Sequence, residues 1–398
     1  VFFYAAVYAL RMRQQLFAKR VRSTHCADKK NPLCYTIYMR KKERNREATE
    51  QLRKNHCERK HTSHMNWNGK PYHSLDFEMK SRFGQKVYKI ALDGHMTCPN
   101  RDGTLGTRGC IFCSEGGSGD FAAPLAFSEV SGFLESSIAS AVNAQIKSAI
   151  LRIKNKMGTA PDAYIAYFQS YTNTYAPLSY LEALFTAAIR HPKVVALSIG
   201  TRPDCLPGEV VKLVPVETRK AGRLELGLQT IHEDTARFIR RGYPLSTFTD
   251  ALKRLRAENL ETIVHVILGL PGESREQMLQ TVRYLAGQDI QGIKLQLLHV
   301  LKGTDLATVY EQHPFPVMDL EEYLDLVIDC IALLPPELVI HRITGDGPKN
   351  LLIAPLWSAN KRLVLNSLTR RFKERGITQG CALTAPSAPI DTPNVPTN

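Results

Sequence analysis

Between about Asn66 and Gly376 the chain alternates short apolar runs with longer stretches whose apolar residues recur every three or four positions. The short runs predict strands at Val87–Asp93, Ala163–Phe168, Val194–Gly200, Leu224–Gln229, Thr262–Leu268, Gly292–His299 and Val339–Thr344. The longer stretches predict helices such as Phe133–Lys156, Tyr180–Arg190, Leu245–Asn259 and Glu276–Gly287. The runs IVHVILGL (263–270) and GIKLQLLHV (292–300) are apolar almost throughout, as strands covered on both faces are. Regular βα alternation implies parallel strands with right-handed crossovers, hence an α/β barrel or an open sheet of six or seven units. In such barrels the chemistry sits on loops at the C-terminal ends of the strands.

The first of those loops, DGHMTCPNRDGTLGTRGCIFCSEGGSGDF from Asp93, carries Cys98, Cys110 and Cys113 in the spacing C-x11-C-x2-C. Three thiolates are one short of saturating a four-iron cluster, and the missing ligand leaves one iron open to a substrate or cofactor. Structural zinc held by the same cysteines and His95, three residues before Cys98, fits the spacing as well. The cysteines alone leave both readings open. The loop's place on a large βα domain, where barrels keep catalysis, favours the cluster. Gly103, Gly106 and Gly109 let the loop wrap without steric cost. Phe112 offers a flat apolar surface between the paired cysteines, and Gly116, Gly117 and Gly119 admit close approach of backbone to a ligand.

Composition changes the picture at the ends. The 398 residues are 43% hydrophobic and 23% charged, ordinary for a globular protein. The nine cysteines are not spaced as a secreted disulfide framework, which implies a reducing, cytoplasmic setting. Of the net charge of +14, most lies in residues 1–64, which hold 16 Lys/Arg against 5 Asp/Glu. The remaining 36 Lys/Arg and 33 Asp/Glu nearly cancel. Residues 1–64 read as a basic arm, disordered or upstream of a start at Met65, with nonspecific nucleic-acid binding as the functional alternative. Val1–Leu10 is apolar but shorter than a bilayer span, and no membrane contact is expected. Residues 65–376 form the main domain. Residues 377–398, rich in Pro, Thr, Ala and Asn, read as a disordered tail.

At the cysteine loop a resemblance emerges. CPNRDGT with GCIFC is similar to radical S-adenosylmethionine (SAM) proteins of the YhcC/YtqA type, relatives of the radical SAM domain in the elongator catalytic subunit. It continues through YFQSYTNTYAP (167–177), SIGTRPDCLP (198–207), ELGLQTIHEDT (225–235), HVILGLPGE (265–273), KLQLLHVLKGTDLA (294–307) and HRITGDGP (341–348). The arm has no counterpart in the resemblance, and no counterpart of the elongator subunit's acetyltransferase domain is expected in this chain. The resemblance implies a partial (β/α)6 barrel whose [4Fe–4S] cluster, held by Cys98, Cys110 and Cys113, chelates SAM. One electron, from a donor such as flavodoxin or ferredoxin, then cleaves SAM to methionine and a 5′-deoxyadenosyl radical.

Several residues can be given roles beside it. Gln169 and Ser170, ending the second strand, suit the SAM amino group, and Arg202 beside Thr201 suits a carboxylate or phosphate. Glu225 and Gln229 have the same strand parity and can meet ribose hydroxyls. Gly269 opens a sharp turn able to seat adenine. Cys205 and His341 are the candidate catalytic groups, with Arg342, Asp346 and Lys349 near the substrate. Basic residues of a last helix at Ser358–Gly376, Arg370 and Arg371 among them, form a possible RNA-facing patch. The substrate expected from the elongator kinship is tRNA, at a wobble uridine. A small metabolite or tetrapyrrole, and a zinc-stabilised RNA-binding protein without catalysis, are the alternatives.

Overall fold

The structure, a computed structural model, describes residues 67–383 except 118, 126–134, 215–220 and 346. The basic arm, residues 384–398 and Asp346 therefore lie outside the described residues. The strands are β1 (Tyr88–Leu92), β2 (Tyr164–Phe168), β3 (Val194–Thr201), β4 (Ala221–Gln229), β5 (Glu261–Leu268), β6 (Gly292–Leu297), β7 (Val300–Leu301), β8 (Val339–Arg342) and β9 (Leu352–Ala354). The helices are α1 (Leu75–Phe83), α2 (Glu135–Met157), α3 (Leu178–Arg190), α4 (Gly208–Leu213), α5 (Glu233–Phe238), α6 (Leu245–Ala257), α7 (Arg275–Ala286), α8 (Asp305–Gln312), α9 (Leu320–Leu333) and α10 (Lys361–Arg375).

All seven strands expected from the apolar runs are present, within three residues at either end. They form one parallel sheet in the order β1-β2-β3-β4-β5-β6-β8, while β7 and β9 pair antiparallel apart from it. Each strand adds beside its predecessor, so the sheet curls as a half-barrel with its helices outside. Its strands are buried on both faces, completely so in β2. Local chemistry fixes the helix starts. Ser274 with Gln277, and Asp319 with Glu322, make reciprocal capping boxes at α7 and α9.

The barrel does not close, because both edge strands are already covered. Ala123 donates to the Ala91 carbonyl at 3.0 Å on the β1 side. On the β8 side the Ile340 N–H donates to the His73 carbonyl at 2.7 Å. Short segments thus blunt two edges that would otherwise template further pairing.

The expected tail begins too early. Residues 377–383 pack on the body, with Ile377, Gln379 and Cys381 buried. The Gln379 side chain accepts from the His73 N–H at 2.8 Å and donates to the carbonyls of Pro335 (2.5 Å) and Leu338 (2.8 Å). One glutamine stitches this segment to two others, which composition does not reveal. Of the basic residues expected as an RNA-facing patch on α10, Lys361, Arg362, Arg370 and Lys373 are exposed and two turn inward. Arg371 turns to Asp325 at 3.0 Å and Arg375 to Asp329 at 2.7 Å, both carboxylates on α9. Among the described residues no helix is long and apolar enough to cross a membrane.

Candidate active site

The cysteine loop leaves the C-terminal end of β1 and is held by its own side chains. Arg101 donates to the carbonyls of Cys113 (3.2 Å) and Ser114 (2.6 Å), and its guanidinium lies over the Tyr171 ring. Asn100 donates to the Arg240 carbonyl at 2.7 Å and to Cys110 Sγ at 3.5 Å. The glycines that follow serve packing. A Cβ on Gly119 would lie 1.9 Å from Ser170 Oγ, and one on Gly117 2.4 Å from the Tyr171 ring. The close approach expected to favour a ligand is therefore made to the end of β2.

Cys98, Cys110 and Cys113 line a single cavity of about 250 Å³ in the mouth of the half-barrel. Phe112, Gln169, Thr201, Arg202, Glu225 and Gln229 line it too. Burial, with Cys113 close by, raises the Cys110 thiol to about 12. His95 lines a separate surface pocket with Tyr180, away from the three thiols. Among the described residues no three His, Cys, Asp or Glu side chains converge tightly enough to share one ion. The three thiols share one cavity, a donor set that would fit a four-iron cluster with one iron left open.

The other expected residues divide. Arg202 already grips Asp204 through two bonds of 3.0 and 2.7 Å and stacks on Tyr243, so its carboxylate partner is internal. Thr201 shares a 2.5 Å hydrogen bond with Thr174. Ser170 is buried behind Gly119 and does not line the cavity. Gly269, at φ 90°, directs its N–H to Met278 Sδ and lies outside the cavity lining, so the adenine seat expected there is not formed. Cys205 lines a different groove, beside Leu206 and Pro207, and burial pushes its thiol up to about 12. A thiol held protonated suits the hydrogen-donor role expected of it, but its place outside the cavity does not.

His341 is corrected by register. Along β6 and β8, Ile293 pairs with Ile340 but Lys294 pairs with Arg342, so His341 bulges. A one-residue slip exchanges the two faces of a strand. Arg342 consequently lines the cavity and His341 does not; its ring fills the space left by Gly292.

The floor of the cavity holds a group the sequence reading missed. The Glu225 carboxylate accepts from Ser198 Oγ (2.5 Å), Lys89 (2.6 Å), His265 Nε2 (2.8 Å) and Lys294. Lys294 also reaches the Tyr167 hydroxyl at 3.2 Å. Burial alone would raise the Glu225 pKa, but the ammonium groups of Lys294 and Lys89 and the His265 bond drive it well below the carboxylate range. Burial lowers Lys294 to about 7 despite Glu225, and His265 to about 4. Glu225 is thus spoken for, and the ribose contact expected of it is not available. The signal lay in the strands: charged residues at mid-strand positions of otherwise apolar runs can only meet each other.

Gln229 differs. Its backbone is left-handed at φ 68°, the strand register slips beside it, and its Oε1 is buried with no partner among the described residues. A buried carbonyl left open on a cavity wall is the kind of group a ligand completes.

Comparison with known proteins agrees with this geometry. Residues 104–285 match the Radical SAM superfamily, and residues 290–374 the Radical_SAM C-terminal domain. The chain is 41% identical over 314 residues to the uncharacterized protein YtqA of Bacillus subtilis, covering 78% of this chain and 92% of that one. It is 36% identical over 315 residues to protein YhcC of Escherichia coli, covering 78% and 95%. Elongator complex protein 3 of mouse is 25% identical over 209 residues, 52% of this chain and 36% of that one. In fold it is similar to the archaeal Elp3 of Methanocaldococcus infernus lacking its N-terminus, with a TM-score of 0.52 and 17% identity over 74% of this chain and 64% of that one. The half-barrel, the three-thiol cavity and these matches together make the chain an enzyme of the radical SAM superfamily, in the group of YtqA and YhcC.

Proposed function

We propose that the protein binds a [4Fe–4S] cluster through Cys98, Cys110 and Cys113, binds SAM in the adjoining cavity, and modifies tRNA at a wobble uridine. The observation that carries the cofactor reading is the cavity itself, bordered by three thiols and by Gln229, whose buried Oε1 has no partner among the described residues. When bound, cluster and SAM supply a one-electron cleavage that yields a 5′-deoxyadenosyl radical, with flavodoxin or ferredoxin in a reducing compartment as the electron source.

The chain's own residues do the rest. Asn100 donates a hydrogen bond to the Cys110 sulfur, which stabilises charge on a ligating thiolate. Phe112, Ile239, Ile267 and Leu298 form an apolar wall that keeps water from a reactive radical. Gln229 and Gln169 offer amides to the polar groups of SAM. The tRNA reading rests on the similarity to elongator complex protein 3.

Comparative nucleoside mass spectrometry of tRNA tests it, using cells with the gene, without it, and complemented by wild type or by Cys98→Ala. One modified nucleoside should vanish on deletion and return only with wild type. A profile unchanged at every position turns the reading to a small-metabolite substrate.

A further inference from the structure

A groove lies beside the cavity. β1 and β8 do not pair, and a groove of about 1500 Å³ runs along the seam between them. Tyr167, Gln169 and Arg342 wall both groove and cavity, so these side chains stand between the two. Its outer walls carry exposed cations: Arg152 and Lys156 on α2, Lys349 after β8, and Lys361 and Arg362 in the first turn of α10. Arg152, Lys156, Lys349 and Arg362 have no ion-pair partner among the described residues. Some exposed cations elsewhere find acids, as Lys80 does Asp76, Arg254 Asp250 and Arg283 Glu276, while Lys147, Lys212 and Lys253 do not; what marks the groove is that four such cations stand along one channel.

Among the described residues that line the groove the one carboxylate is Asp120, and it is held by Ser114 at 3.0 Å. Large apolar side chains stand open on the same walls, Phe121 at 55% exposure and Leu356 at 71%. Cations without partners, interleaved with exposed apolar platforms, are the features that hold a single-stranded polynucleotide.

We propose that this seam groove is the track for a single-stranded segment of RNA. The phosphates lie along the five cations, bases rest on Phe121 and Leu356, and the target nucleotide turns through the seam past Arg342 into the cavity. The proposal rests on the reading of the substrate as tRNA and names the surface that holds it. A free metabolite has no use for cations along an outer wall. An acidic electron carrier must approach the cysteine loop, and none of the three thiols lines the groove.

The test measures binding of a fluorescent tRNA anticodon stem-loop to the full chain by anisotropy. The quadruple variant Arg152→Ser, Lys156→Ser, Lys349→Ser, Arg362→Ser should weaken Kd by roughly 30-fold or more and flatten the log–log salt slope by about 3. Residues 1–64 are present in both proteins, so the difference reads the groove. Arg254→Ser with Arg283→Ser, paired cations elsewhere, should change Kd less than about twofold. Phe121→Ala should weaken Kd several-fold with the salt slope unchanged, since stacking carries no charge. SAM cleavage driven by dithionite without RNA should be kept in every variant, showing that the barrel is intact. Tight binding by wild type and quadruple variant alike overturns the groove and leaves the tRNA reading standing. No stem-loop binding by wild type, with an unchanged tRNA profile, removes both. A variant that keeps RNA binding but loses reduction by flavodoxin assigns the groove to a protein carrier and overturns the proposal.

Discussion

Three thiols border the cavity, and so does Gln229, whose buried Oε1 has no hydrogen-bond partner among the described residues, whereas at the floor the Glu225 carboxylate is closed by Ser198, Lys89, His265 and Lys294. Both sets are polar, but their bonding differs in kind. Thiols that border a cavity can ligate a metal, and a buried acceptor without a donor can take one from a ligand. A network that completes itself holds strands in place, and removing one member strands the others in a medium of low dielectric. The cysteine end should therefore respond to mutation in cofactor content and the floor in stability.

The largest effect expected is on iron. Anaerobic reconstitution should load about four irons per chain, with broad brown absorbance. Cys98→Ala, Cys110→Ala or Cys113→Ala should each reduce this to near zero while the cluster-free protein melts at almost the wild-type temperature. Stoichiometric zinc with no capacity for iron would break the comparison at its open end.

Glu225→Gln comes next. It removes the counter-charge of Lys294 and Lys89, which burial already holds below the usual lysine range, so each must give up its proton or stay charged in a buried site, a change worth about 3–5 kcal/mol. The loss should appear as a lower urea midpoint, with iron per folded chain unchanged. Adding Lys294→Met should recover part of it, because the second change removes a charge that the first stranded. If Glu225→Gln instead spares stability and empties the protein of SAM, the floor is a binding site and the contrast fails.

Acid sharpens the same contrast. His265 ionises at about 4 in the folded protein, against about 6.5 when unfolded. Between those values the unfolded chain binds the extra proton, so stability present above pH 6.5 is lost as pH falls toward 4. Glu225, whose pKa is also lowered, adds loss in the same direction at the acid end. The His265 part is on the order of 3 kcal/mol, and His265→Gln should flatten the urea midpoint against pH across that window. An equal slope in the variant would assign the acid sensitivity elsewhere.

Much of this was legible in the sequence, and the failures share a cause. Strands covered on both faces announce themselves as apolar runs, so the seven strands of the parallel sheet and the position of the cysteine loop were readable from one chain. Strand parity was less dependable. It could not have told His341 from Arg342, because the bulge on β8 decides which of the two lines the cavity. It matched Glu225 with Gln229, yet Gln229 reaches the cavity through a register slip and a left-handed backbone. Bulges depend on what neighbouring strands accept, as Gly292 accepts the His341 ring, and local pattern does not encode that. The loop glycines were noticed for the wrong reason, since the neighbours that require them, Ser170 and Tyr171, come from β2's end. The floor network joins residues from six strands, and no single strand shows which of the others its polar residue will meet.

The smallest effect expected is at Gln229, and two substitutions separate its side chain from its backbone. Non-glycine residues at positive φ carry strain that persists where the surroundings fix it, often beside a ligand. Gln229→Leu keeps a side chain in that conformation and removes the amide. Gln229→Gly removes the amide and relieves the backbone, which should stabilise the fold by up to about 1 kcal/mol. If the open carbonyl binds SAM, both variants lose one hydrogen bond, about 1.4 kcal/mol or a tenfold rise in SAM Kd, with iron content unchanged. Only the stability of the two should then differ. A rise in Kd confined to Gln229→Gly would mean that the strained backbone shapes the cavity. Normal SAM binding by both would show that the carbonyl is open for another reason, and the cysteine end would hold one fewer unfinished group.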